Sequence, residues 1–304
     1  MRLLTKPLAL LFVAALAACA VSETPNSPGS GPADGLMAWP DLLERPRPQP
    51  AATIAYGEDP LQLVDLYLPQ GQGPHPTAIM VHGGCWQTDI ADRTIMSWIA
   101  ADLAGRGVAV WNIDYRGVDR PGGGYPGTFQ DVAAAADALR VHAARYKLDL
   151  RRLVATGHSA GGHLALWLAA RPRLAEGSPL RTAADPISIR AVVSLGGLPD
   201  LEEAARPPGS GCGTEVIGRL TSGNFADTSV PRLAPLGLPQ VLINGRQDRI
   251  IPLAYVEGYA SPMRAAGDDV RVRMIDATGH VELIAPESRA WAAAAEEILR
   301  ALGR

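Results

Sequence analysis

The run Gly157-His158-Ser159-Ala160-Gly161 has the spacing G-x-S-x-G, which can present a serine hydroxyl as a nucleophile. That use needs a strand before the serine and a helix after it. Arg152-Leu153-Val154-Ala155-Thr156 is an apolar run of strand type, and Ala160 to Ala170 is rich in helix formers. Small neighbours let strand and helix approach each other across a sharp turn. The start of the helix then aims backbone N–H groups at the space beside the hydroxyl, where an anion is stabilised.

A hydroxyl becomes a good nucleophile when a base takes its proton and a carboxylate orients that base. Of the six histidines, His280 follows the last expected strand, in a glycine-containing turn. His75, His142, His158 and His163 come earlier and follow no late strand, and His82 follows an early one. The acid should follow the strand before the base, and Asp248 does, just past Asn244. Asp227, Asp268, Asp269 and Asp276 compete less well. Asp268 and Asp269 fall at a helix–strand junction, on the opposite edge of a parallel sheet, and Asp276 would be crowded against His280. Glu282 either flanks the site or is an exposed carboxylate.

The third requirement is a set of N–H donors for the oxyanion. His82-Gly83-Gly84-Cys85-Trp86 directly follows the buried-type strand Thr77-Ala78-Ile79-Met80-Val81, and its glycines allow backbone to approach a cleft. The N–H groups of Gly84, Cys85 and Ala160 are the candidate donors.

These residues need a scaffold that brings them to one edge. Strand and helix patterns alternate from Thr77 to Leu302, with strands at 108–113, 152–156, 189–194, 239–244 and 270–275 and helices between them. One helix is expected over 128–144 and a closing amphipathic one over 286–302. Ahead of them, 51–56 and 61–68 read as an antiparallel hairpin at a sheet edge. The fold class is therefore α/β, a mostly parallel central sheet with helices on both faces. Ligands of such sheets sit at the carboxyl ends of the strands. Residues 196–235 break the period and read as a short lid insertion.

The ordered set His82-Gly83-Gly84-Cys85-Trp86, Gly157 to His163, Asn244 to Asp248 with Ile251-Pro252, and Gly279-His280 resembles the α/β-hydrolase superfamily. Over about residues 52–303 it is similar to the esterase/lipase group with an H-G-G-x-W oxyanion motif, which includes kynurenine formamidase-like and feruloyl-esterase-like enzymes. The resemblance implies a serine hydrolase that needs no metal or cofactor and acts on carboxylic esters or small amides. An arylformamidase or small-amide hydrolase is the alternative within the fold, and a non-catalytic binding lipoprotein of the envelope is the alternative outside enzymes.

The chain has 304 residues, a formal charge of −3 and a mean hydropathy of +0.04. It carries no basic patch, so nothing points to nucleic acid. Residues 1–18 read as an export leader, with Arg2 and Lys6 before the apolar stretch Leu8 to Ala17. The leader ends Leu16-Ala17-Ala18-Cys19, which resembles a bacterial lipobox and makes Cys19 the expected lipidated first residue of an envelope protein anchored to a membrane. An exported protein of this kind favours an envelope esterase over a cytoplasmic formamidase. Residues 19–50 read as a linker rich in Pro, Ser and Gly, with a structured arm around Leu36 to Leu43 as the alternative, and 51–304 as the globular domain. Cys85 and Cys212 remain. An oxidising compartment permits a bridge between them, and nothing in their spacing requires one. Without histidines at ligand spacing they make no zinc site.

Overall fold

The computed structural model describes residues 35–304; the leader, Cys19 and the first part of the linker lie outside them. Ten helices and eight strands are described. A five-residue helix α1 (Trp39–Leu43) precedes the hairpin β1 (Ala52–Ala55) and β2 (Leu63–Tyr67). Then come β3 (His75–Val81), α2 (Ser97–Gly105), β4 (Ala109–Ile113), α3 (Gly127–Asp137), α4 (Leu139–Tyr146), β5 (Leu148–His158), α5 (Ala160–Ala170) and β6 (Val192–Leu195). Three short helices follow, α6 (Leu201–Ala204), α7 (Thr214–Thr221) and α8 (Phe225–Thr228). The chain closes with β7 (Gln240–Gly245), α9 (Leu253–Ala265), β8 (Val270–Ile275) and α10 (Arg289–Ala301).

All eight strands form one sheet in the order β1-β2-β4-β3-β5-β6-β7-β8. β1 pairs with β2, and β2 with β4, in antiparallel fashion; every later pairing is parallel. The pattern follows from burial. Every residue of β3 and of β4 is buried, which is what a strand covered by helices on both faces requires. β1, at the edge, alternates half-buried with exposed. One face of the sheet packs around Trp111, Phe129, Trp167 and Tyr259, the other around Met80, Trp98 and Trp291. Every residue of α5 is buried. It is apolar all round because the sheet lies on one side of it and α3 and the 196–235 segment on the other.

Three expectations change. The single helix over 128–144 is two helices, α3 and α4, meeting at Ala138. Residues 36–50, expected as the end of a linker, are instead a folded arm laid on the domain. Leu42 is completely buried beside Ile95, Met96 and Trp98. The Trp98 indole N–H donates to the Pro46 carbonyl, the Tyr67 hydroxyl to that of Pro48, and Arg45 pairs with Glu287. The Asp41 carboxylate accepts from the Ala38 N–H at 2.7 Å and caps α1.

The third change concerns the cysteines. Cys85 and Cys212 form a disulfide, with Cα atoms 5.3 Å apart and a sequence separation of 127. It ties the loop after β3 to the 196–235 segment. Cross-linking a loop of that length removes about 5 kcal/mol of unfolded-state entropy on the chain-entropy account. The variant Cys212→Ser is therefore expected to unfold in urea with a free energy lower by about that amount. A wild-type midpoint that does not move on adding a reductant would contradict this.

Candidate active site

β5 delivers Ser159 to the carboxyl edge of the sheet. The turn there is tight: Ser159 has φ 54° and ψ −121°, a conformation that L-residues rarely adopt. Its N–H donates to the Leu195 carbonyl of β6 at 2.8 Å, and its carbonyl accepts from Gly162 N–H at 2.8 Å, so the strained turn is held from both sides. The glycines of the motif are forced by contact. A Cβ on Gly157 would lie 2.1 Å from the Gly161 carbonyl oxygen, and one on Gly161 would lie 2.1 Å from that of Val81.

β7 and β8 deliver the other two groups. The Asp248 carboxylate is buried just past β7, and Oδ2 lies 2.7 Å from His280 Nδ1. Its other oxygen, Oδ1, accepts from the Ile250 and Ile251 N–H groups at 2.8 and 3.0 Å, which fixes the plane of the carboxylate. With Nδ1–H given to Asp248, the lone pair of His280 resides on Nε2. Ser159 and His280 line the same cavity, of about 250 Å³, together with His158, Gly84 and Cys85. Of the competing acids, Asp268 accepts from Leu236 and Gly237 N–H groups, Asp276 pairs with Arg246, and Asp227 accepts from Tyr125 and Ser178 hydroxyls.

The loop after β3 has three successive residues with positive φ, Gly84 (100°), Cys85 (50°) and Trp86 (54°). Successive N–H groups in a tight turn can form a concavity where anions bind. Among the described residues the N–H groups of Gly84, Cys85 and Ala160 meet no protein acceptor; Gly84 and Cys85 line the cavity, and Ala160 directly follows Ser159, which lines it too. Two of these conformations are strained for residues with a side chain. What fixes them is the bridge at Cys85 and the complete burial of Trp86. His82 holds the start of the loop. Its ring stacks on Tyr115 at 4.3 Å, with Nδ1 2.7 Å from the Gly83 carbonyl and Nε2 3.0 Å from Asp114. Arg93 pairs with Asp114 at 2.7 Å and with Asp65 at 2.9 Å. Burial alone would raise the Asp114 carboxyl, but the hydrogen bonds from His82 and Arg93 outweigh it and hold the group below the usual carboxylate range.

Two histidines of the elbow have other work. His163 is buried in α5 with Nε2 2.9 Å from the Thr228 carbonyl, and burial lowers it to about 4. His158 is buried beside His280, ring centroids 4.4 Å apart, with Nε2 3.0 Å from the His280 carbonyl. Burial first, and then the nearby His280, push it well below its ordinary value. A neutral His158 donates Nε2–H to that carbonyl and so braces the turn that carries His280. Glu282 does the same from the other side. One of its oxygens accepts from Gly279 N–H at 3.0 Å, and the other accepts from Met37 N–H of the arm.

Sequence reasoning missed the arm's share in this site. Trp39 stands edge-on to both rings, 6.1 Å from His158 and 6.4 Å from His280, and lines the cavity. The signal that was present is the cluster Leu36, Met37, Trp39, Leu42, Leu43 inside an otherwise polar stretch. The 196–235 segment is a packed flank, with Leu201, Ile217, Leu220 and Val230 in the core, and it reaches the cavity at Gly211, next to Cys212.

Residues 64–259 match the BD-FAE family model. Over 227 residues the chain is 28% identical to Esterase LipC of Mycobacterium tuberculosis, a match that covers 70% of this chain and 54% of that one. It thus spans about half the length of this curated relative. Among solved structures it is similar to a truncated carbohydrate esterase from gut microbiota, with a TM-score of 0.69, 20% identity, and 85% of this chain and all of that one covered. It is also similar to the propionate-bound esterase Est2 of Thermogutta terrifontis, with a TM-score of 0.68, 22% identity, and 83% and 94% covered. The fold shared with these two is that of the α/β-hydrolases, and the chain belongs to the BD-FAE family.

Proposed function

We propose that this protein is a serine carboxylesterase that works through an acyl-enzyme on Ser159. The observation that carries the reading is the Asp248–His280 contact of 2.7 Å opening on the cavity that Ser159 also lines. His280 Nε2 takes the Ser159 proton as Oγ attacks the ester carbonyl. The oxyanion that forms accepts from the N–H groups of Gly84, Cys85 and Ala160. His280 then passes the proton to the leaving alkoxide, the C–O bond breaks, and the acyl group stays on Oγ. Water, deprotonated by the same imidazole, repeats the attack and releases the acid. Asp248 holds the imidazole with Nδ1 protonated and steadies its charged form. The names of the relatives, an esterase of M. tuberculosis and a carbohydrate esterase, support ester cleavage.

The same reading places the protein outside the cytoplasm, in the cell envelope, tethered to a membrane through lipid on Cys19. The Cys85–Cys212 bridge supports it, since such bridges persist in oxidising compartments. One experiment covers both halves. The protein is isolated from membranes, treated with a fluorophosphonate, and its peptides are weighed. The expected result is an adduct on the peptide carrying Ser159, loss of p-nitrophenyl acetate turnover, and a diacylated Cys19 at the N-terminus. Full turnover without an adduct would remove Ser159 as the nucleophile, neither turnover nor adduct would remove the enzymatic half, and an unmodified Cys19 would remove the anchoring half.

A further inference from the structure

Six large apolar side chains are exposed among the described residues: Trp39, Leu43, Ile90, Val141, Ile250 and Leu253. The first three and Ile250 all line the mouth of the Ser159 cavity. Apolar side chains scattered singly over a surface are ordinary, but four around one opening form a patch with a use. No Asp, Glu, Lys or Arg lines the cavity among the described residues. A sugar-binding cleft needs polar groups to replace the hydroxyl hydration of its ligand, and this lining offers few.

Position within the mouth assigns the sides. The general acid must reach the leaving oxygen, at about 2.6–3.2 Å in the reacting complex. Whatever packs on His280 and also faces the cavity therefore stands beside the alcohol part of the ester. Trp39 does so, edge-on to His280 at 6.4 Å, with Leu43 one helical turn further along α1. The wall is firmly mounted. Leu42 is completely buried behind it, and Glu282 links Met37 to Gly279, the residue before His280. Trp39 and Leu43 also precede the family match, which begins at residue 64.

We infer that the N-terminal arm is a specificity element, in which Trp39, backed by Leu43, walls the leaving-group side of the cleft and selects esters of apolar, aromatic alcohols over small alkyl and sugar esters. The inference rests on Ser159 being the nucleophile of an esterase. An aromatic alcohol gains edge-to-face contact with the indole and buries the ring against Leu43, and a small alcohol gains neither.

The test holds the acyl group constant and varies the alcohol, with kcat/KM measured on benzyl acetate and ethyl acetate for the full chain and two variants. Wild type is expected to prefer benzyl acetate by about tenfold or more, a difference of the size that a few buried apolar groups give. Trp39→Ala is expected to lower the benzyl-to-ethyl ratio by about tenfold, and Trp39→Phe, which keeps an aromatic wall, by less than about threefold. A ratio in Trp39→Ala within about twofold of wild type, with both esters still cleaved through Ser159, overturns the arm's role and leaves the esterase reading standing. Equal loss on both esters also overturns it, since that is the mark of a disturbed His280 and not of a lost alcohol contact. If wild type cleaves neither ester and takes no fluorophosphonate adduct, the esterase reading fails and this inference fails with it.

Discussion

Replacing Ser159 by alanine is expected to lower kcat on p-nitrophenyl acetate by about 10⁶-fold, the loss typical when a triad serine is removed. What remains is turnover from the N–H donors and binding alone. The variant should fold normally, because the elbow is held by main-chain bonds to Leu195 and Gly162 that do not involve the hydroxyl. Glycine at the same position separates chemistry from strain. Serine and alanine both carry a Cβ at φ 54° and ψ −121°, a conformation costing on the order of 1–3 kcal/mol, whereas glycine adopts positive φ freely. Part of that relief is lost because glycine makes the unfolded chain more flexible, by about 0.4–1 kcal/mol. Ser159→Gly is thus expected to be as inactive as Ser159→Ala and about 1 kcal/mol more stable. Urea unfolding and single-substrate kinetics on the three proteins check both statements. An alanine variant retaining a tenth of the activity would remove Ser159 from the chemistry, and a glycine variant less stable than alanine would remove the strain argument.

The residues that could be read from the chain are those whose meaning is set locally. Gly157 to Gly161 announces a turn because glycines are needed wherever backbone passes at 2.1 Å from a would-be Cβ, and the strand and helix beside it are themselves local patterns. Asp248 and His280, which lie 2.7 Å apart, could be expected at one edge because parallel strands fix which end of each strand faces the cleft, so order along the chain becomes place in space. The rest needed three dimensions. Asp114, Arg93 and Asp65 lie on separate elements, and only the fold makes them the network that holds His82. Cys85 and Cys212 are 127 positions apart and come together because the 196–235 segment turns back over the loop after β3. The arm misled for a physical reason. Pro40, Pro46, Pro48 and Pro50 with Arg45 and Arg47 give the composition of a stiff linker, but proline has no N–H to satisfy. A chain of such residues can therefore lie along a surface and use its carbonyls, as Pro46 and Pro48 do toward Trp98 and Tyr67. His158 illustrates the opposite limit. Its sequence position is the variable one of the motif, and its brace on the His280 carbonyl has no signature at all.

Asp248→Asn is expected to lower kcat about 10⁴-fold with little change in KM, and the surrounding hydrogen bonds say why. Asparagine matches aspartate in shape, so the question is which way its amide faces. The Oδ1 site accepts from two N–H groups, those of Ile250 and Ile251, and only the amide oxygen can stay there. The NH₂ must then occupy the Oδ2 site, 2.7 Å from His280 Nδ1. Facing a donor, Nδ1 becomes the acceptor and the proton moves to Nε2, the nitrogen that the proposed mechanism keeps bare to deprotonate Ser159. The imidazole is held in place but in the wrong tautomer. Asp248→Ala leaves Nδ1 free to keep its proton, so the alanine variant is expected to retain more kcat than the asparagine variant although it removes more of the side chain. That inversion distinguishes an orienting carboxylate from one that merely stabilises the fold. Kinetics on p-nitrophenyl acetate at neutral pH for the two variants, with a urea midpoint for each, decide the matter. An asparagine variant as active as wild type would mean that the base is oriented by some other group, and the choice of Asp248 would have to be abandoned.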